Sequence, residues 1–487
     1  MDALILIGSL LVLLMVGFPV AFAVGLSAFI GAWWIDLPLE AVVIQVTNGI
    51  NKFSLLTIPF FILAGAIMAE GGIARRLVNF AYIFVGFIRG GLSLVNIVAS
   101  TFFGAISGSS VADTASIGSV MIPQMEEKGY PRDFAAAVTA SGSVQAVLTP
   151  PSHNSVIYSL ATGGMVTISS LFVAGIFPGL LLGGCLMIMC LGFAHKRGYP
   201  KGERIPFRQA LKIFFDAFWG LFTVVIIMGG ILSGIFPGLL LGGCLMIMCL
   251  GFAHKRGYPK GERIPFRQAL KIFFDAFWGL FTVVIIMGGI LSGIFTASES
   301  AAIACIWAFF VTMFIYRDFK WNQLHILLFR TIKTVTIVMV LIAFAAGFGA
   351  VMTFMQLPTI ITEAFTSLSD NKYVILMCIN ILLLVVGTLM DMAPLILILT
   401  PVLLPVATAL GVDPVHFGMI MLTNLGIGLI TPPVGTVLFV ASAVSKQKIE
   451  QVVRAMLPFY GMLFIVLMLI TYIPAISLWL PRLMGVM

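Results

Sequence analysis

The sequence predicts an all-α, polytopic membrane protein built from two related halves, and three observations carry that prediction. Of 487 residues, 60% are hydrophobic and 9% are charged, against roughly 25% charged in a soluble domain. Apolar stretches fill most of the length, giving roughly a dozen helical passes at about 20 residues per crossing. Clusters of Gly and Pro interrupt those stretches at corresponding places on either side of a central connector. A soluble fold is excluded.

The chain opens on an apolar run that reaches Ile35. It lacks a basic leading region and a small-residue cleavage site, so it is expected to stay as the first membrane segment, with no soluble domain before or after the membrane part. The net charge of +8 comes from 27 Lys and Arg against 19 Asp and Glu. Those cations concentrate in short polar stretches, an orientation signal and not a nucleic-acid footprint. All six cysteines lie inside apolar segments without a CxxC pair, so neither a disulfide frame nor a zinc site is indicated.

Three regions follow: a first repeat over 1–174, a connector over 175–292 and a second repeat over 293–487. The connector is a literal duplication, since residues 175–233 return unchanged as 234–292. Perfect identity is what a recent duplication, an engineered insertion or an assembly error would each leave. Each copy reads as an apolar segment, a basic loop (His195–Lys212, again His254–Lys271) and a second apolar segment. With both loops on one side, residues 217–253 would leave and re-enter the membrane in limbs short of a full span. The functional reading rests on the 428 residues left when one copy is removed.

The second repeat is divergent and relates the halves. The helix ending at Gly17–Pro19 matches the one ending at Gly293–Phe295. The run GSSVAD over 108–113, with Pro123 ten residues beyond Asp113, matches GTLMD over 387–391, with Pro401 ten beyond Asp391. Gly129 lies 20 residues before Thr149, as Gly411 lies 20 before Thr431. The offsets of 276, 278 and 282 describe one duplicated unit with an indel of about one helical turn. Paired halves with matched interruptions point to a secondary transporter with its site near the midplane.

A helix interrupted at membrane depth exposes carbonyls and amides that lipid cannot satisfy, so each break must line a cavity or bind something. Half one has Gly104–Ser110, rich in hydroxyls, and Leu148–Asn154, where Pro150 and Pro151 donate no amide. Half two has Gly387-Thr388 and Thr431–Pro433. Converging carbonyls and hydroxyls are hard oxygen ligands suited to Na⁺, and half-helix N-termini favour a carboxylate. Against this stands plain helix packing, which a single Gly-Ser run would satisfy; four breaks in two matched pairs favour the cavity.

Asp113 and Asp391 are intramembrane carboxylates and hence functional candidates, and helix capping is an equal alternative for each. Asp391 is the stronger candidate for touching a polar substrate. Glu299 reads as a helix cap. His153 reads either as a proton carrier or as a hydrogen-bonded packing group, and Arg75, Arg76 and Arg89 read as interfacial anchors.

Together these residues resemble the large membrane subunit of the tripartite ATP-independent periplasmic (TRAP) transporters. The resemblance rests on GFPVAFA at 17–23, SGSSVAD at 107–113 with Ile117–Ser119, Ile122-Pro123, Gly129-Tyr130 and Pro150–Ser152. It continues through Gly293–Thr296 running into Glu299–Ala302, Gly387-Thr388 with Asp391, and Thr431–Gly435. It covers nearly the whole chain apart from the additional 59 residues. The resemblance implies two inverted structural repeats with re-entrant helical hairpins, organised as a scaffold plus an elevator-type transport domain. It implies a non-enzymatic, Na⁺-coupled importer of carboxylate-bearing solutes, such as C4-dicarboxylates or sialic acid, in the bacterial inner membrane. The implied partners are a small membrane subunit, not fused here, and a periplasmic substrate-binding protein. By matched position it implies one Na⁺ site at Ser107, Ser110, Thr149 and Pro150 and a second at Gly387, Thr431 and Pro432. Substrate contacts are implied at Ser107, Ser152 and Asp391, with Asn154 beside Ser152 as a further candidate. The rival readings are a stand-alone ion-coupled anion carrier and, from another class, an intramembrane aspartyl protease using Asp113 and Asp391.

Overall fold

The computed structural model describes residues 2–70, 72–198, 277–278, 281–283, 285–290, 293–316, 321–369 and 371–487. Among them the only regular elements are helices. Half one contains α1 (Asp2–Met15), α2 (Val20–Trp34), α3 (Leu39–Ile50), α4 (Thr57–Glu70), α5 (Ile73–Val85), α6 (Gly91–Ser107), α7 (Ser110–Glu127), α8 (Arg132–Ser143), α9 (Gln145–Leu148), α10 (His153–Ala161) and α11 (Ile168–Lys196). Half two contains α12 (Ala297–Phe310), α13 (Trp321–Phe354), α14 (Leu357–Leu368), α15 (Lys372–Gly387), α16 (Met392–Ala409), α17 (Pro414–Gly428), α18 (Thr436–Ser445), α19 (Ile449–Tyr472) and α20 (Ala475–Leu483). The second basic loop, the rest of the first beyond Gly198 and the proposed turn within 217–253 lie outside the described residues. The sequence boundary at residue 175 falls inside α11, because it marks a copied segment and not a structural unit.

Among the described residues five helical stretches are long and apolar enough to cross a membrane, or six if α4 and α5, which meet at 73°, count as one span. Among the same residues further apolar runs form helices of 10–17 residues, so length alone does not count the passes. The N-terminal run is one such case. It is not a single segment: Gly17, at φ +89°, turns the chain between α1 and α2, and Trp34 Nε1 at the end of α2 donates to Asp2 Oδ1 at the start of α1 (3.1 Å). The two helices lie against each other as an antiparallel pair.

Helix starts follow local chemistry. Ser109 caps α7 by accepting from Ala112 N–H, Asn371 caps α15 through Tyr373 N–H, and Asp413 caps α17 through Val415 and His416 N–H with Pro414 at the first helical position. Thr296 and Glu299 form a reciprocal capping box, with Thr296 N–H donating to Glu299 Oε2 (2.8 Å) and Glu299 N–H to Thr296 Oγ1 (3.3 Å). The capping role expected of Glu299 is therefore what it performs.

Helix starts pair α2 with α12, α6 with α15, α7 with α16, α8 with α17, α10 with α18 and α11 with α19. Packing between the halves is reciprocal: α2 packs on α13 while α12 packs on α4, and α10 packs on α16 while α18 packs on α7. Likewise α11 packs on α17 and α19 on α8. Each helix that one half lends to the other is returned by its counterpart, as a two-fold relation requires. At the centre lie α8–α9 and α17, buried without interruption over 134–148 and 415–430. The outer helices carry exposed large apolar side chains such as Phe22, Trp33, Ile306 and Phe329, a surface suited to lipid.

Candidate functional site

All four expected interruptions are present. In half one, α6 stops at Ser107, Gly108 turns at φ +60°, and α7 begins one residue after Ser109. A Cβ at Gly108 would lie 3.0 Å from both Pro151 O and Ser152 Cα, so the first break rests on the second. Only a glycine combines that left-handed turn with so close a backbone approach. The second break is the extended stretch Thr149–Ser152 between α9 and α10. Helices α6 and α7 pack against each other as a hairpin, whereas α8 and α10 do not lie side by side, so the latter form an interrupted rod.

Half two repeats this with its own bonding. α15 stops at Gly387, and the carbonyl of Thr388 accepts from Val434 N–H (3.2 Å) and Gly435 N–H (3.3 Å) in the other break. The two breaks of half two are thus tied by main-chain hydrogen bonds. The Pro150–Pro151 and Pro432–Pro433 bonds are both cis. The two Pro-Pro stretches differ in access: Pro150 and Pro151 are buried, while Pro432 and Pro433 are exposed.

The named polar groups divide by what they already hold. Ser110 Oγ donates to Ser143 O (2.8 Å), and Thr431 Oγ1 donates to Ile427 O (2.7 Å), so both hydroxyl protons are committed. Ser107, largely buried, accepts from Ser109 N–H at 3.4 Å. Thr149 Oγ1 and Ser152 Oγ are buried with no hydrogen-bond partner, and such groups call for an explanation. Asn154 is buried in the first turn of α10, and His153 is half-buried at its start.

The two aspartates are not equivalent, which corrects the sequence alignment of the halves. The first residues of α7 and α16 are 282 apart, so Asp391 stands where Ser109 stands, immediately before its helix, and Pro123 pairs with Pro405. The misalignment by one turn arises because α16 carries prolines at both 401 and 405, four residues apart. Asp113 does not cap α7, since Ser109 does. It is wholly buried beside the Ser100 hydroxyl, which stands outside hydrogen-bonding geometry. Asp391 occupies the N-cap position of α16 with its side chain capping nothing. The residue is exposed, in contrast to Asp113.

Arg76 is not a free interfacial anchor. Its guanidinium sits 3.8 Å from the centre of the Tyr316 ring and donates to Gly72 O, joining α5 to the end of the π-helical turn that follows α12.

Two polar constructions escape a reading of motifs. Asn380 Nδ2 donates to Thr471 Oγ1 (3.0 Å), Asn424 Nδ2 donates to Asn380 Oδ1 (2.8 Å), and His416 Nε2 lies 3.3 Å from Thr471 O. This buried network joins α15, α17 and α19. Its signal was the lone amide in an otherwise apolar helix, costly in lipid unless paired. The other is Tyr460, whose hydroxyl donates to Ile430 O (2.6 Å) at the fourth break; nothing in its sequence surroundings marks it.

Two matched helical halves, each with a hairpin and an interrupted rod meeting at unwound chain, define a membrane protein of the secondary-transporter type. The model of the family described as "Tripartite ATP-independent periplasmic transporter, DctM component" matches residues 7–236 and 231–476, and the two matches meet where the 59-residue copies join. The chain belongs to that family of TRAP transporter large permeases. It is 40% identical to the protein YgiK of Salmonella typhimurium over 99% of this chain and 97% of that one. It is 34% identical to the C4-dicarboxylate TRAP transporter large permease DctM of Rhodobacter capsulatus over the full length of both. With the sialic acid TRAP transporter large permease SiaM of Vibrio cholerae it shares 36% identity over 90% of this chain and 88% of that one. Among solved structures, the YdaH transporter of Alcanivorax borkumensis superposes with a TM-score of 0.53 at 15% identity, covering 89% of this chain and 88% of that one, a likeness of fold.

Proposed function

We propose that this permease imports a carboxylate-bearing organic solute together with Na⁺ across the bacterial inner membrane. A small membrane subunit and a periplasmic binding protein act with it. The observation that carries the reading is the contact of Gly108 with Pro151 and Ser152, which sets a serine-rich turn against an unwound, proline-containing stretch. Around it, Ser107, Ser110, Thr149 and Pro150 supply hard oxygens for one cation, with Gly387, Thr431 and Pro432 as the counterpart in half two. Ser107, Ser152, Asn154 and Asp391 are assigned to the solute. The unpaired hydroxyls of Thr149 and Ser152 support this, because a bound ion or solute would satisfy them. The reciprocal packing of the halves supports inverted repeats working as an elevator-type transport domain against a scaffold.

The test is reconstitution in liposomes with the small subunit and the cognate binding protein, using a panel of labelled C4-dicarboxylates and acidic sugars. Accumulation should require all three components and an inward Na⁺ gradient. Uptake without the binding protein would turn the assignment to a stand-alone carrier, and uptake indifferent to Na⁺ would remove the coupling.

A further inference from the structure

The first residues of α11 and α19 are 281 apart, which pairs Gly179 with Tyr460. Both positions face the interrupted rod of their own half, and they treat it differently. In half one, a Cβ at Gly179 would lie 3.0 Å from Thr149 Oγ1, and Gly175 brings the α11 backbone onto Leu148 O. In half two, the Tyr460 hydroxyl donates to Ile430 O at 2.6 Å, with Met456 Sδ farther off at 3.8 Å.

An account of the carbonyls leaving α17 shows what this bond accomplishes. Ile427 O accepts from Ile430 N–H and Thr431 Oγ1, Gly428 O from Thr431 N–H, and Leu429 O from Val437 N–H. Tyr460 completes the series at Ile430. The carbonyls of Thr431, Pro432 and Pro433 receive no donor among the described residues. The boundary between satisfied and unsatisfied main chain therefore falls at the residue Tyr460 holds.

We propose that Tyr460 is a positioning residue for the second cation site: its hydroxyl fixes the last paired carbonyl, so that the carbonyls following it are the ones presented to the ion. Half one has no side-chain hydroxyl at this place, so the two cation sites are braced by different means. The proposal rests on the cation-coupled reading above.

The test uses the reconstituted complex and compares wild type, Tyr460→Phe and Tyr472→Phe. Tyr472 is the control: it lies on the same helix, and its hydroxyl donates to Tyr373 O (3.3 Å), far along α19 from the break. Tyr460→Phe should raise the Na⁺ concentration for half-maximal uptake roughly three- to tenfold, the worth of one neutral hydrogen bond. The KM for the organic anion at saturating Na⁺ should stay near wild type, and Tyr472→Phe should leave the Na⁺ requirement unchanged. Thermal unfolding is read in Na⁺ and in choline, and Tyr460→Phe should reduce the extra stabilisation that Na⁺ confers. An equal fall in unfolding temperature in both salts, with an unaltered Na⁺ requirement, would make Tyr460 a packing residue and overturn the proposal. Wild-type uptake that ignores Na⁺ overturns the cation-coupled reading and this proposal together. A Na⁺-dependent wild type matched by Tyr460→Phe overturns this proposal alone.

Discussion

Gly387 and Gly428 meet backbone to backbone: a Cβ at Gly428 would lie 2.7 Å from the carbonyl carbon of Gly387 and 2.8 Å from its Cα. Helices α15 and α17 thus converge where both of them stop, and the absence of two side chains permits it. Gly428→Ala should force the helix ends apart at about 1–3 kcal/mol, the range for overpacking a close contact. Thermal unfolding of detergent-purified protein should show the loss, and uptake should fall with it. Gly426→Ala, whose added carbon would meet the Val144 side chain at 3.2 Å, should cost less.

Ser107→Ala combined with Thr149→Ala removes one largely buried hydroxyl and one with no protein partner. The pair should raise the Na⁺ concentration for half-maximal uptake by roughly tenfold or more, about the worth of two lost oxygen contacts. Ser100→Ala, two turns before Ser107 on α6 and beside Asp113, should leave the Na⁺ requirement alone. Titration of uptake against Na⁺ distinguishes the two, and an unchanged Na⁺ requirement in the double variant would count against the site.

Asp391→Asn should keep the fold, since the carboxylate caps nothing and asparagine is tolerated at this helix position. A rise in KM for the solute is expected with little change in unfolding temperature. An unaltered KM would remove Asp391 from the solute contacts.

Deletion of residues 234–292 leaves a chain of 428 residues. The two copies are identical, so the shortened chain keeps every residue of the unit in its original order. The shortened protein should match the full chain in uptake and in elution as a single species on size exclusion.

The breaks were legible because Gly and Pro act on the backbone directly, wherever they stand. Gly108 needs its left-handed turn and Pro151 withholds its amide regardless of what lies around them. The register between the halves was less legible, because α16 offers two prolines one turn apart and spacing alone chose the wrong one. The α1–α2 turn was absorbed into one apolar run, since hydropathy does not distinguish a long span from a folded-back pair. The Tyr460 bond was not legible at all, and the lone amides of Asn380 and Asn424 signalled a need for partners without identifying them. Each depends on a partner between 30 and 44 residues away, and tertiary packing decides whether they meet.

The mutual exchange of helices between the halves has a consequence for how the protein is made. While the ribosome is still producing α12–α19, the faces of α2, α4, α7 and α8 that meet half two have no partner, because those helices have not emerged. The early segments must wait in the bilayer with those faces uncovered, and α7 and α8 gain their partners only when α18 and α19 arrive. Two separately synthesised halves should therefore assemble when made in the same cell and be degraded when made apart.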